Sequence, residues 1–246
     1  MNATNTSTVA AKPRGSGSLS LIASPWHTAI VLAIVGLNAY WALTRAAEAR
    51  GGMGPGRPAI YLRTIATEWV VLAAVVIGVK LRGVSLEAVF GEKWRSVGAV
   101  LRDAALGTAA MVMALVLVTI IGALFGEGSA DGTVRFLLPQ SAQEKALWIL
   151  VSMSAGICEE AVYRGYLQRQ FAAMTGRVPA GIIMSGLAFG AVHLYQGLSR
   201  AASIAMLGMF FGLVAQWRKS VRPVMVAHAL QDGIAPVLLR LARHAQ

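Results

Sequence analysis

From Ala104 to Phe125 the chain carries no charged side chain. A run of that length places the polar backbone, together with its apolar side chains, out of reach of water. Every N–H and C=O must then be satisfied internally, which leaves only the helix or the closed barrel. The run is continuously apolar instead of alternating, and about 20 residues cross a hydrocarbon core of ~30 Å as a helix. Comparable runs recur along the chain. The chain is 56% hydrophobic and 13% charged, with a mean hydropathy of +0.61. Soluble domains carry roughly 25% charged residues, so the soluble classes are excluded and an all-α integral membrane protein is predicted. The net charge of +11 follows from Lys and Arg in the loops beside apolar spans. It points to a lipid bilayer as partner and not to nucleic acid.

The pattern predicts about seven transmembrane helices. They run near Trp26–Leu43, Thr64–Leu81, Ala104–Phe125, Lys145–Phe171, Pro179–Tyr195, Ala201–Trp217 and Pro223–Leu241. Residues 1–24, rich in Ser, Thr, Ala and Gly over most of their length, are predicted to be a disordered tail. Residues 25–246 are predicted to form a single helical domain. Residues 82–96 alternate apolar and charged positions, as an interfacial segment does. The cation distribution places the N-terminus and the stretches Arg164–Arg177 and Arg218–Arg222 on the cytoplasmic side. Cys158 is the only cysteine. It excludes an intramolecular disulfide and reads as a core residue.

Five polar side chains interrupt the later apolar runs. Glu159 and Glu160 stand inside the fourth helix, His193 inside the fifth, His228 and Asp232 inside the seventh. Carboxylates and imidazoles within a span are costly and mark function. With a rise of 1.5 Å per residue, Glu159 lies ~18 Å from the Phe171 end and His193 ~21 Å beyond Pro179. His228 and Asp232 lie ~8 and ~14 Å into the seventh helix from the same face. A polar catalytic layer among the C-terminal four helices is predicted. Glu160 and Arg164 are four apart and can pair along one face. Glu159 is turned ~100° away from that face, toward a neighbour such as His193, and an unpaired carboxylate in low dielectric suits a general base. Phe189 is four residues before His193 and is placed to support its ring. Pro236 has no N–H for the carbonyl of Asp232, which makes either an ordinary kink or a freed acceptor. Glu68, near the expected start of the second span, reads as interfacial, and His27 and His244, toward the chain ends, as structural.

Glu159-Glu160-x-x-x-Arg164, Phe189-x-x-x-His193 and His228-x-x-x-Asp232, in that order, resemble the CPBP intramembrane proteases, the group of the CAAX prenyl endopeptidases and the Abi-type bacteriocin-processing proteins. The resemblance covers about residues 140–240. It implies a multi-pass helical protein, of a bacterial cell membrane, that hydrolyses a membrane-associated polypeptide, and the cation distribution opens its site to the cytoplasm. The resemblance implies water activation by Glu159 and His193, and oxyanion stabilisation by His228 and its partner Asp232, with no cofactor. The prenyl endopeptidases carry Asn where this chain has Asp232. An ionised carboxylate cannot donate to an oxyanion, so Asp232 must be protonated, orient His228 or bind a metal. Two alternatives stand beside this reading. One is a zinc-dependent peptidase with Glu159, His193, His228 and Asp232 as ligands, although no His-Glu-x-x-His helix is present. The other is a non-catalytic scaffold or immunity protein that retains the motif.

Overall fold

The computed structural model describes residues 19–50, 56–125 and 136–244. Most of the expected N-terminal tail, the glycine-rich stretch 51–55, residues 126–135 and the His244 side chain lie outside the described residues. The rest is helical, and no strand occurs among the described residues. The helices are α1 (Pro25–Arg50), α2 (Arg57–Leu81), the short α3 (Glu87–Phe90), α4 (Val97–Phe125), α5 (Ala142–Glu160), α6 (Gln168–Thr175), α7 (Val178–Ala191), α8 (Leu198–Arg218) and α9 (Arg222–His244). A π-helical stretch, Ala161–Leu167, joins α5 to α6 without a break. Among the described residues, six helical segments are long and apolar enough to cross a membrane, the run Ala142–Thr175 counting as one of them. The chain is an all-α multi-pass membrane protein.

The apolar pattern located every span, but several ends differ. α1, α2 and α4 each extend past the expected limits into sequence containing Arg. Long cationic side chains run their methylenes along apolar surface while the head reaches water, so charge does not stop a helix at the hydrocarbon edge. α5 starts where Ser141 and Glu144 form a reciprocal capping box. The run that follows ends at Gly176, which takes a left-handed conformation (φ 69°). Arg164–Arg177 is therefore not a loop: all but its last two residues are helical, and Arg164 is 2% exposed. Only the turn at Gly176 and Arg177 connects α6 to α7.

The expected fifth span, α7, has only 14 residues. At 1.5 Å per residue it spans ~21 Å, short of the ~30 Å core. It stops at Ala191, and His193 lies just past its end instead of within it. A 3-10 turn, Leu194–Gln196, and Gly197 at φ 96° then redirect the chain into α8. Nothing in the apolar run through Val192 announced that stop.

Lipid-facing positions such as Ile30, Val70, Ile77, Val112, Leu187 and Leu213 are exposed, whereas Glu160, Arg164, Gln168, Gln170 and Ser154 are buried. α5 and α9 approach closely at Gly156, where a Cβ would stand 2.7 Å from the Met225 carbonyl oxygen. A small residue there brings two backbones together and sets Glu159 and Glu160 opposite His228. At the other end of this layer α3 packs Val89 onto Gly165 of the π-helical stretch. Arg169, Ser220 and Arg222 hold it there through hydrogen bonds to the carbonyls of Ala88, Phe90 and Glu92. The expected interfacial segment thus becomes a cap pinned to the helix ends.

Candidate active site

The adjacent carboxylates of α5 go to different places. Glu160 is fully buried. Its Oε1 accepts from Arg164 Nη1 at 2.7 Å and from His228 Nδ1 at 2.8 Å. The i,i+4 pair read from the sequence is present, and it has gained a histidine from a distant helix. Arg164 also donates to the Gly208 carbonyl and stacks its guanidinium 4.3 Å from the centre of the Phe189 ring. The π-helical turn begins directly after Glu160 and contains Arg164. Such insertions occur frequently at functional sites.

Glu159 turns the other way, into a cavity. The nearest charged contact of its carboxylate is His228 Nε2, at 3.7 Å. The expected neighbour, His193, lines the same wall without a hydrogen bond or ion pair to Glu159 among the described residues. His193 Nδ1 lies 2.8 Å from the Phe189 carbonyl oxygen. A carbonyl can only accept, so Nδ1 carries the proton and Nε2 is left available to the cavity. Phe189 packs edge-on against both His193 and His228, with ring centres at 4.9 and 5.9 Å. Its support of His193 is present, and it serves His228 and Arg164 as well.

On α9, His228 Nε2 lies 3.4 Å from Asp232. The imidazole thus spans from the buried Glu160 on one side to Glu159 and Asp232 on the other. The carbonyl of Asp232, left without its helical donor by Pro236, accepts from Trp148 Nε1–H at 2.9 Å. Of the two readings of Pro236, the freed acceptor is the one with a partner in place.

Glu159, His193, His228 and Asp232 all line one cavity of about 630 Å³. Tyr195, Gln196 and Gly197 of the non-helical turn line it too. Irregular backbone at membrane depth is tolerated where it is buried in protein or borders water. A second, mostly apolar cavity of about 550 Å³ lies between α1, α2 and α5 and shares Glu159, His193 and Tyr195. Glu68 lines both cavities and accepts from Ser154 Oγ at 2.6 Å. The sequence reading placed Glu68 at an interface because it began α2 at Thr64. From the actual start at Arg57, Glu68 is ~17 Å deep. Counting rise from Pro58, a good early-helix residue, was the signal that could have found it. His27 is structural as expected, bonded to Tyr166 and to the Ala74 carbonyl, and Cys158 is buried core.

As a test of zinc, no three His, Cys, Asp or Glu side chains converge as a metal-holding group among the described residues. Nδ1 of His193 is committed to Phe189 and Nδ1 of His228 to Glu160, which leaves Nε2 as the cavity-facing nitrogen of each ring.

Residues 141–234 match the family model of the type II CAAX prenyl endopeptidases, Rce1-like. This segment belongs to the CPBP family. The CPBP segment is less than half of the chain and runs from the cap of α5 to just beyond Asp232. At the family level it is that of an intramembrane CAAX-type protease. It contains Glu159, Glu160, Arg164, Phe189, His193, His228 and Asp232, whereas Glu68 lies outside it. No curated protein and no solved structure matches the chain.

Proposed function

We propose that the chain is an intramembrane endopeptidase that hydrolyses membrane-associated polypeptides with a water activated by Glu159 and His193. The observation that carries this reading is the single cavity in which Glu159, His193, His228 and Asp232 meet, with His228 Nε2 between two carboxylates. A water on the shared wall is within reach of the Glu159 carboxylate and of the bare Nε2 of His193. Its oxygen attacks the peptide carbonyl carbon while Glu159 takes its proton. The developing oxyanion is met by Nε2–H of His228, whose Nδ1–H is held by Glu160, and by Asp232 in its acid form. Glu159 then returns the proton to the leaving nitrogen, and the C–N bond breaks to give a carboxylate and an amine. No cofactor enters this sequence.

Membranes carrying wild type or Glu159→Gln are compared by terminal proteomics. New peptide termini present with wild type and absent with the variant identify both the activity and the substrate. Identical termini reject the peptidase reading in favour of a non-catalytic role.

The site is proposed to open toward the cytoplasm, on the side of the turns at Arg177 and Lys219. Single cysteines at those two exposed positions, in a Cys158→Ala background, should be labelled by a membrane-impermeant thiol reagent only in inside-out vesicles. Labelling of intact cells reverses the orientation.

A further inference from the structure

The second cavity has no task in the hydrolysis just described, yet it reaches the same Glu159 and His193. Where the two cavities meet, their common wall includes Thr64, Glu68, Glu159, His193 and Tyr195. Glu68 is the one carboxylate there that the mechanism leaves unused. Its Oε2 is fixed by the Ser154 hydroxyl at 2.6 Å. Its Oε1 makes no hydrogen bond among the described residues and is not sealed from the cavity. Ser154 is itself 5% exposed and sits on α5, five positions before Glu159. The Glu68 carboxylate, carried by α2, is therefore tied through Oε2 to the same helix that carries Glu159.

A peptide segment that reaches Glu159 from the bilayer must unwind around the bond to be cut. Its freed N–H groups then need acceptors, which the mostly apolar second cavity offers in Glu68 and in a few neutral groups such as Asn38, Thr64 and Thr67. His228 and Asp232 are proposed to meet a carbonyl oxygen, and neither serves an N–H. The rest of the apolar cavity is lined at this depth by groups such as Val71, Val162 and Val192. Segments that arrive from lipid carry few cationic side chains, so the donor at hand is the backbone amide.

We propose that Glu68 is a substrate-binding residue, whose free carboxylate oxygen accepts a backbone N–H of the unwound substrate beside the scissile bond. This rests on the peptidase reading above and deepens it. It places one functional residue on α2, outside the CPBP segment.

The test uses the full-length protein in lipid nanodiscs and an apolar hexapeptide aldehyde, whose hydrate mimics the tetrahedral intermediate. A set of analogues carries one N-methyl group each, at successive amides. Loss of this hydrogen bond on N-methylation at the contacting amide should weaken binding to wild type by roughly 10-fold. In Glu68→Ala that penalty should vanish at this amide and remain unchanged at the others. Glu68→Gln, which keeps the volume and a neutral acceptor, should show a reduced penalty at the same amide, and it carries the test if the alanine variant melts early. Suppose the aldehyde binds wild type, loses affinity in Glu159→Gln, and shows the same N-methyl profile with and without Glu68. Then the assignment of Glu68 is overturned and the peptidase reading stands. An aldehyde that binds Glu159→Gln as well as wild type overturns both.

Discussion

Two buried polar clusters share α5 and are built on opposite principles. The knot of Glu160, Arg164 and His228 is closed to the cavity: both members of the ion pair are almost completely inaccessible and each is bonded to more than one neighbour, although Glu160 Oε2 and Arg164 Nη2 have no hydrogen-bond partner among the described residues. The corner of Glu68 and Ser154 is open, with one bond made and one oxygen facing a cavity. Glu159 stands between them with its side chain partly accessible. A closed cluster offsets part of its desolvation cost internally and is costly to break at either partner, so it acts by fixing geometry. An open one leaves that cost unmet until a reactant arrives, which is where binding and chemistry can be driven. In the proposed mechanism, adjacent residues of one helix thus serve order and reactivity separately.

The sharpest way to test this division is Glu159→Gln. Proteolysis should fall by roughly 10²–10⁴, the usual loss for removal of a general base, while the melting temperature in detergent stays that of wild type. Loss of stability comparable to that of the knot variants would erase the distinction between the two neighbours.

Next in size are Glu160→Ala and Arg164→Ala. Either change leaves a charge buried without its partner, at a cost of about 3–5 kcal/mol. Thermal melting and activity should fall together. An Arg164→Ala protein that melts like wild type would mean that the knot is not closed.

Trp148→Phe removes the donor to the Asp232 carbonyl and should destabilise by roughly 1–3 kcal/mol. In a Pro236→Ala background the helix regains its own N–H, so the same change should cost measurably less. Equal losses in the two backgrounds, read in a double-mutant cycle, would show that the indole does not replace the missing helical bond.

The smallest effect is expected for Asp232→Asn, at the open side of His228. An amide donates without needing a proton, so activity should stay within about tenfold of wild type, or roughly 1.4 kcal/mol. The purified wild type should lose nothing to a chelator. Stoichiometric zinc, with cleavage that a chelator abolishes and zinc restores, would turn the assignment toward the metal mechanism.

What the sequence disclosed follows from how local each relation is. Glu160 and Arg164 could be paired on paper because four residues bring the next turn of one helix alongside. The joining of His228 to Glu160 could not, because it depends on α9 pressing against Gly156 of α5. Matching depths put His193, His228 and Glu159 in one layer but gave no contacts within it, and the actual neighbour of Glu159 is His228. Glu68 was misplaced because Arg57 and Arg63 look like loop residues, although they lie on the helix. The π-helical turn has no side-chain signature to read. The end of α7 was hidden because Val192 continues the apolar run past the last helical residue.

A newly made chain meets the bilayer one apolar segment at a time, and insertion favours segments of about 20 apolar residues. At 14 residues α7 falls below that length, and the turn after it is short. It is therefore best delivered together with α8, as a helical hairpin whose bend passes through His193. The catalytic layer then cannot form span by span during synthesis. Weakening the apolarity of α8 at Met206 and Leu213, which are exposed and line neither cavity, should strand α7 and His193 outside the membrane. For this protein the order of assembly is written into the length of one helix.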